Sequence, residues 1–351
     1  MSGRNEPLVS VVTPTYNMGN YLAECIQSVL NQTYKNFEYI IVNNCSTDRT
    51  LEIALGYAKK DNRIRVHNNA RFVGVMENHN IALNLISPGA KYCKVVCADD
   101  FIFPECLSRM VELAETNPSV GLVGSYSIAG KEVIFTGLEY EKKIVKGADI
   151  CRATLRGGAY VLGCPTSLLY RADVIRKTNK FYPNSNPHCD TTASYQVLEE
   201  SDFGFVHQVL SFTRIHAESQ TSRSIKYGII KLSSLSDFCR FGPKYLTQVE
   251  MNQRLRILVD DYYHSLVPTL FLEPKNKEFW QRQQTELAEI GMRFSKVKLL
   301  KAAFFRVVRF VLKPGVAQKV LKLKRNPGQI EARYYEQDPS EDGDRNEVVH
   351  A

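Results

Sequence analysis

The chain has 351 residues, 44% hydrophobic and 23% charged, with a formal charge of +8. This is an ordinary globular composition, long enough for one large domain or two smaller ones. No apolar run reaches the length of a membrane-crossing helix. The opening "MSGRNEPLVSVV" lacks the basic and apolar regions of a secretory leader. The nine cysteines form no CxxC pair, and several fall in apolar runs, so they read as reduced and mostly buried, and the expected compartment is the cytosol.

In chain order, residues 8–13 ("LVSVVT") read as a buried strand broken by "PTYN". Asn20 is placed to cap a helix in which Leu22, Ile26, Val29 and Leu30 recur at helical spacing. A second strand spans 37–44, a helix spans 46–60 with Ser46 or Thr47 at its start, and a third strand spans 63–69. A third helix covers 74–86, and a fourth strand, 92–100, ends in "ADD". Such alternation argues for an α/β fold with a parallel sheet, in which ligands bind beyond the carboxyl ends of the strands. Those ends carry Pro14, Thr15, Tyr16 and Asn17, then Asn43 and Asn44, then Asn68 and Asn69, then Asp99 and Asp100.

Two adjacent carboxylates closing a core strand repel each other and lose hydration unless donors or a cation compensate. Asp99 and Asp100 read either as a turn or helix cap or as a divalent-metal site. Four polar strand ends in succession favour a single site.

Residues 119–216 continue without a linker. A strand lies in "VGLVGSYSIAG", a helix in "GADICRATLRGG", a strand and short helix in "AYVLGCPTSLLYRADVI", a helix at about 190–200 and a strand near 205–214. Residues 1–220 are therefore taken as one domain and 221–325 as a helical extension. Within the extension, 296–325 mixes Leu, Val and Phe with Lys and Arg and holds no acid. It reads as an ordinary packed helix or as a segment lying on an anionic membrane surface; no nucleic-acid motif or base-stacking aromatic pattern is present. Residues 326–351 are polar and acidic and are expected to be disordered. His188, His207 and His264 read as structural.

The stretch "VSVVTPTYNMGNYLAECIQSVLNQTYKNFEYIIVNNCSTDRT", together with "ADD" at 98–100 and "HCDTTASYQVLEESDFGFVHQVLSFTRIH", resembles a family 2 glycosyltransferase over about residues 8–220. The resemblance implies a GT-A fold, a Rossmann-like mixed and mostly parallel sheet flanked by helices, here with the helical C-terminal extension. It implies inverting transfer of a sugar from a nucleotide-diphospho-sugar, a UDP-sugar in the first instance, to a hydroxyl of a saccharide or lipid-linked acceptor in cell-surface polysaccharide or glycolipid assembly. Pro14, Thr15, Tyr16, Asn44, Asn80 and Asp99 would bind the nucleotide sugar. Asp100 and His216 would hold Mn²⁺ or Mg²⁺, and Asp190 would be the general base, kept ionised by its place at a helix start. Asn43 and Asn44 stand where the family carries an acidic pair, and Cys97 stands where it carries the first acid of the metal motif. The implied location is the cytosolic face of a membrane, with the helical half able to support a homodimer. The rival classes are a nucleotidyltransferase, against which the absence of basic residues in "PTYNMGN" counts, and a non-catalytic binding or scaffold protein with the same fold.

Overall fold

The computed structural model describes residues 6–183, 189–216, 219, 224 and 227–312. His188, the end of the basic segment from 313 to 325 and the acidic tail lie outside the described residues.

The first half alternates strand and helix: β1 (Val9–Thr15), α1 (Leu22–Leu30), β2 (Phe37–Asn43), α2 (Thr50–Ala58), β3 (Ile64–Asn68), α3 (Val75–Asn84) and β4 (Tyr92–Val95). There follow β5 (Phe101–Ile102), α4 (Cys106–Thr116), β6 (Val120–Ala129), β7 (Glu132–Ile134), β8 (Ile144–Val145) and α5 (Gly147–Leu155). A single 3₁₀ turn (Pro165–Ser167) leads into β9 (Leu168–Arg171), α6 (Ala172–Ile175), α7 (Cys189–Leu198) and β10 (Asp202–Thr213). The helical extension comprises α8 (Ile229–Tyr245), α9 (Gln248–Leu272), α10 (Lys277–Glu289) and α11 (Lys296–Leu312).

One sheet runs in the order β3-β2-β1-β4-β9-β6-β10-β5, with β7 paired to β6 and β8 to β10. β1 to β4, β6 and β10 run the same way, and the short β5, β7, β8 and β9 run against them. β9 is the hinge of this layout. It lies antiparallel between β4 and β6, so a three-residue register with each side joins the two parallel halves.

β1 is buried at all seven positions, as a parallel strand covered on both faces must be. Alternation along the strands divides the core between the two faces. Val9, Val11, Tyr39 and Ile41 pack with α1 and α4, whereas Val12, Ile40 and Val42 face the layer that includes α5, α7 and the helical extension. Phe238 and Phe241 of α8, Tyr262 and Leu266 of α9, and Leu299 of α11 belong to that second core. The extension is thus built onto the sheet and shares its interior. Among the described residues, no helix is long and apolar enough to cross a membrane, and none of the nine cysteines is paired.

Three local expectations are corrected. Asn20 does not cap α1; Tyr21 occupies that position without a side-chain bond. Ser46 and Thr47 precede α2, which starts at Thr50, and they bind the first crossover loop instead: Asn17 N–H donates to Ser46 Oγ (2.9 Å), and Thr47 N–H donates to Asn17 Oδ1 (2.8 Å). β4 ends at Val95, so "CADD" forms a turn beyond the strand, closed by Asp100 N–H to the Cys97 carbonyl (3.0 Å).

Candidate active site

The parallel strands deliver their carboxyl ends to one edge, and the site is built there. Thr15 and Asn43 are register partners at the ends of β1 and β2, and Asn43 and Asn68 at the ends of β2 and β3. Asn43 Nδ2 donates to Asn68 Oδ1 (2.6 Å), and Asn43 Oδ1 is buried with no partner among the described residues. Thr15 Oγ1 and Asn69 Oδ1 are likewise buried without partners. Buried acceptors left open are costly unless a ligand fills them. Beside them Tyr16 and Phe72 are 41% and 58% exposed, with their rings edge to face at 4.9 Å. This is an apolar lip over a floor of hydrogen-bond acceptors.

Asn44 is differently employed. Its Nδ2 donates to the Val73 carbonyl (2.8 Å), and its Oδ1 accepts from Val73 N–H (3.0 Å) and Asn69 Nδ2 (3.0 Å). Both ends of the amide are consumed in holding the 69–73 loop, so the open acceptor on β2 belongs to Asn43. Asn80 is also occupied at both ends: its Nδ2 donates to the Tyr182 carbonyl, and its Oδ1 accepts from Tyr182 N–H, each at 2.9 Å. It ties α3 to the loop after α6. Pro14 is buried within β1 and lends its ring to the strand's packing.

The doublet lies in the turn after β4. Asp100 is almost fully buried. Its Oδ2 accepts from Thr166 Oγ1 (2.6 Å) and its Oδ1 from Arg214 N–H (2.9 Å). Burial first, and then the Asp99 charge, push its carboxyl up to about 8, against the pull of Thr166 and Arg214. Asp99 Oδ2 accepts from His216 Nε2 (3.1 Å), and the Asp99 carbonyl accepts from Arg214 Nε (2.9 Å). Arg214 Nη2 reaches Glu24 of α1 at 2.5 Å, and its guanidinium lies over the Tyr21 ring at 5.0 Å. The end of β10 is therefore clamped to the doublet on one side and to α1 on the other.

Among the described residues, Cys97, Asp99 and Asp100 place one ligand atom each within 4.8 Å of the others. The donor set fits a divalent cation. Carboxylate oxygens suit Mg²⁺ and Mn²⁺, and two like charges held this close, one desolvated, are relieved by such an ion.

Asp190 begins α7 and is half buried, its Oδ1 without a partner among the described residues. Burial raises its carboxyl to about 6, although the backbone N–H groups of the helix start pull the other way. The helix start favours the ionised form, as expected, but burial opposes it more strongly. Tyr160 connects α7 to the doublet's surroundings, its hydroxyl lying 2.7 Å from Thr191 Oγ1. Cys164, just before the 3₁₀ turn, sits in the field of both Asp100 and Asp190. Hydrogen bonds thus join Asp100 to the 3₁₀ turn and His216 to Asp99, while Asp190 is linked to that turn through its charge on Cys164; Thr15 and Asn43 lie at the ends of β1 and β2.

Several residues at the site carried no signal that strand-end reasoning uses. Thr166 receives Cys97 N–H (3.1 Å) and donates to Asp100, and it comes from a turn remote in sequence. Lys94 is fully buried in β4; its Nζ donates to the carbonyls of Thr166 (2.6 Å) and Leu168 (3.0 Å), so it fixes that turn. His79 on α3 pairs its Nδ1 with the Val75 carbonyl (2.9 Å), and burial holds its ring below the usual imidazole range, with Asp99 opposing. Arg214 was legible in "TRIH", two residues before His216. A surface cavity of about 500 Å³ lined by Arg171, Lys177, Gln196 and Glu200 contains none of these groups.

The parallel strand ends, the acidic turn beyond β4 and the crossing strand β9 define the GT-A architecture. The mannosyltransferase PcManGT of Pyrobaculum calidifontis, solved with GDP-Man and Mn²⁺, superposes with a TM-score of 0.52 over 93% of this chain and 87% of its own, at 13% identity. TarS of S. aureus, solved with UDP-GlcNAc, superposes with a TM-score of 0.60 over 80% of each chain, at 17% identity. In sequence, an uncharacterized glycosyltransferase of Haemophilus influenzae is 33% identical over 193 residues, which are 53% of this chain and 58% of that protein. The chain spans between 31% and 58% of the length of this and two other curated relatives. Residues 10–178 match the model of glycosyl transferase family 2.

Proposed function

We propose that the protein is an inverting, metal-dependent glycosyltransferase that moves a sugar from a nucleoside diphosphate to an acceptor hydroxyl. The observation that carries this reading is a close-set acidic doublet, with Asp100 desolvated beside Asp99, together with a third acid, Asp190, whose Oδ1 is buried without a partner among the described residues. The nucleotide base stacks against Tyr16 and Phe72, and Asn43 Oδ1 accepts its ring N–H. Uracil and guanine offer such a donor, and cytosine and adenine do not, so a UDP-sugar is the first choice and a GDP-sugar the second. The fold neighbours TarS and PcManGT were solved with UDP-GlcNAc and GDP-Man, respectively.

Asp99 and Asp100 would hold Mn²⁺ or Mg²⁺, with His216 orienting Asp99. The ion supplies Lewis-acid stabilisation for the departing diphosphate. Asp190 takes the proton of the acceptor hydroxyl as the oxygen bonds to the anomeric carbon and the bond to the diphosphate breaks on the opposite face. A general base of this kind contributes roughly 10²–10⁴-fold, and its proton affinity near 6 suits neutral pH. The acceptor is a saccharide, free or lipid-linked, in surface polysaccharide or glycolipid assembly on the cytosolic side of a membrane. We take 1–220 as the catalytic unit and 221–325 as its helical support.

The neutral Asn43 and Asn44 and the thiol at Cys97 favour one rival, a nucleotide-sugar binder without turnover. Release of UDP and GDP from their sugars with Mn²⁺, measured for the wild type, Asp100→Ala and Asp190→Asn, separates the two. The transferase reading expects turnover in the wild type and a loss of about a hundredfold or more in each variant. Binding without turnover in the wild type establishes the rival, and equal turnover in all three removes the assigned roles.

A further inference from the structure

We propose that the exposed face of α11 rests on the surface of an anionic phospholipid bilayer. This inference does not depend on the transferase reading. α11 is buried along one side only, where Leu299, Ala302 and Ala303 enter the core. Val297, Leu300, Phe304 and Val307 follow one another at steps of three and four, which places them on a common stripe of a helix. All four are exposed, Leu300 and Phe304 at 64%, and the exposed Phe305 stands beside them. The helix therefore has two apolar faces, and the protein covers one.

The charges decide what fits the other. Between 296 and 312 there are five Lys and Arg residues and no Asp or Glu. Lys296 borders the stripe on one side, and Lys298 and Lys301 border it on the other, all exposed. Large apolar side chains framed only by cations match hydrocarbon beneath anionic headgroups, where the stripe enters the acyl boundary and the ammonium groups stay with the phosphates. A second copy of this chain is the poorer partner, because the same cations would meet face to face. No described helix is long and apolar enough to cross a membrane, so the contact proposed lies in the plane of the interface. The next residues, 313–325, extend the run of cations without an acid.

Vesicle flotation of the full chain tests this, with point changes on the exposed stripe. Truncation before α11 is unsuitable because it would uncover the core contacts of α9. The wild type should float with vesicles of mixed phosphatidylglycerol and phosphatidylcholine, and lose most of that binding on pure phosphatidylcholine or in high salt. Leu300→Asp/Phe304→Asp should cut binding about tenfold or more, and Lys298→Glu/Lys301→Glu should weaken it on anionic vesicles. Both variants should keep the wild-type unfolding midpoint, since the altered side chains are exposed. Flotation of Leu300→Asp/Phe304→Asp equal to wild type overturns the proposal. So does wild-type binding that is indifferent to lipid charge. So does a concentration-dependent dimer that this variant splits while no vesicle binds.

Discussion

Asp190 concentrates the residue-scale argument. Its carboxyl is raised from 3.8 to about 6 chiefly by burial. As the proposed base it must be ionised, so turnover should climb with pH, with a slope of one through about 6, and level off above. Folding carries the opposite sign. The unfolded chain loses this proton near 4 and the folded chain near 6, so ionisation works against folding from pH 4 upward and fully above 6. Asp190→Asn should therefore be more stable than wild type at pH 7.5, by at most about 3 kcal/mol, and equal to it near pH 4. Chemical denaturation at both pH values, run beside the activity assay, checks this. A variant that is inactive yet stabilised identifies a functional acid, whereas a purely capping role, which Asn fills as well as Asp, leaves activity unchanged.

Thr166 gives a second residue-scale test. Thr166→Val removes the donor to Asp100 Oδ2 and the acceptor of Cys97 N–H while nearly keeping the shape. Two buried polar groups lose their partner, which costs about 1–3 kcal/mol each. Stability should fall, and the Mn²⁺ concentration needed for half-maximal turnover should rise. A stable variant with unchanged metal dependence would show that the turn does not set the doublet.

Between elements, α5 packs closely against the end of α7, the helix whose first turn holds Asp190. Gly147 opens α5, and a Cβ there would lie 2.1 Å from the Leu198 carbonyl and 2.2 Å from that of Ser201. These are backbone atoms at the end of α7, so the helix must shift to make room. Gly147→Ala should lower stability by about 1–3 kcal/mol or more. Because α7 carries the proposed base, kcat should fall more than substrate affinity, as steady-state kinetics would show. Neither glycine spacing nor periodicity announces this contact. Periodicity does announce the elements themselves: the apolar runs of β1 and β2 and the helical spacing of Leu22, Ile26 and Val29 were readable because both faces of a central parallel strand, and one face of its crossover helix, are buried. Caps were less readable. Ser46 and Thr47 have the chemistry of helix starts, but the loop after β1 outcompetes the helix for their hydrogen bonds.

Across the whole molecule, α8 to α11 complete the same core that covers one face of the sheet. Phe238, Phe241, Tyr262 and Leu266 are buried with Val12, Ile40, Tyr170 and Phe205. A chain ending at residue 220 would leave that face open, so it should aggregate or unfold, and the full chain should melt in one cooperative transition. Two separated calorimetric transitions, or a soluble and active 1–220 fragment, would contradict a shared core.

Taken alone, the sequence determined the alternation of strands and helices, the edge where the polar ends gather, the acidic doublet and the basic amphipathic end. Each is a local pattern of burial, charge or turn chemistry, and such patterns survive in one dimension. Tertiary structure alone decided which oxygens stay open and which are spent: Asn43 Oδ1 is left open among the described residues while Asn44 and Asn80 are consumed at both ends, and Thr166, Lys94 and Arg214 brace the doublet from distant segments. Those outcomes depend on which donors meet across the folded sheet, and hydrogen bonds between residues many positions apart leave no periodic trace in the chain.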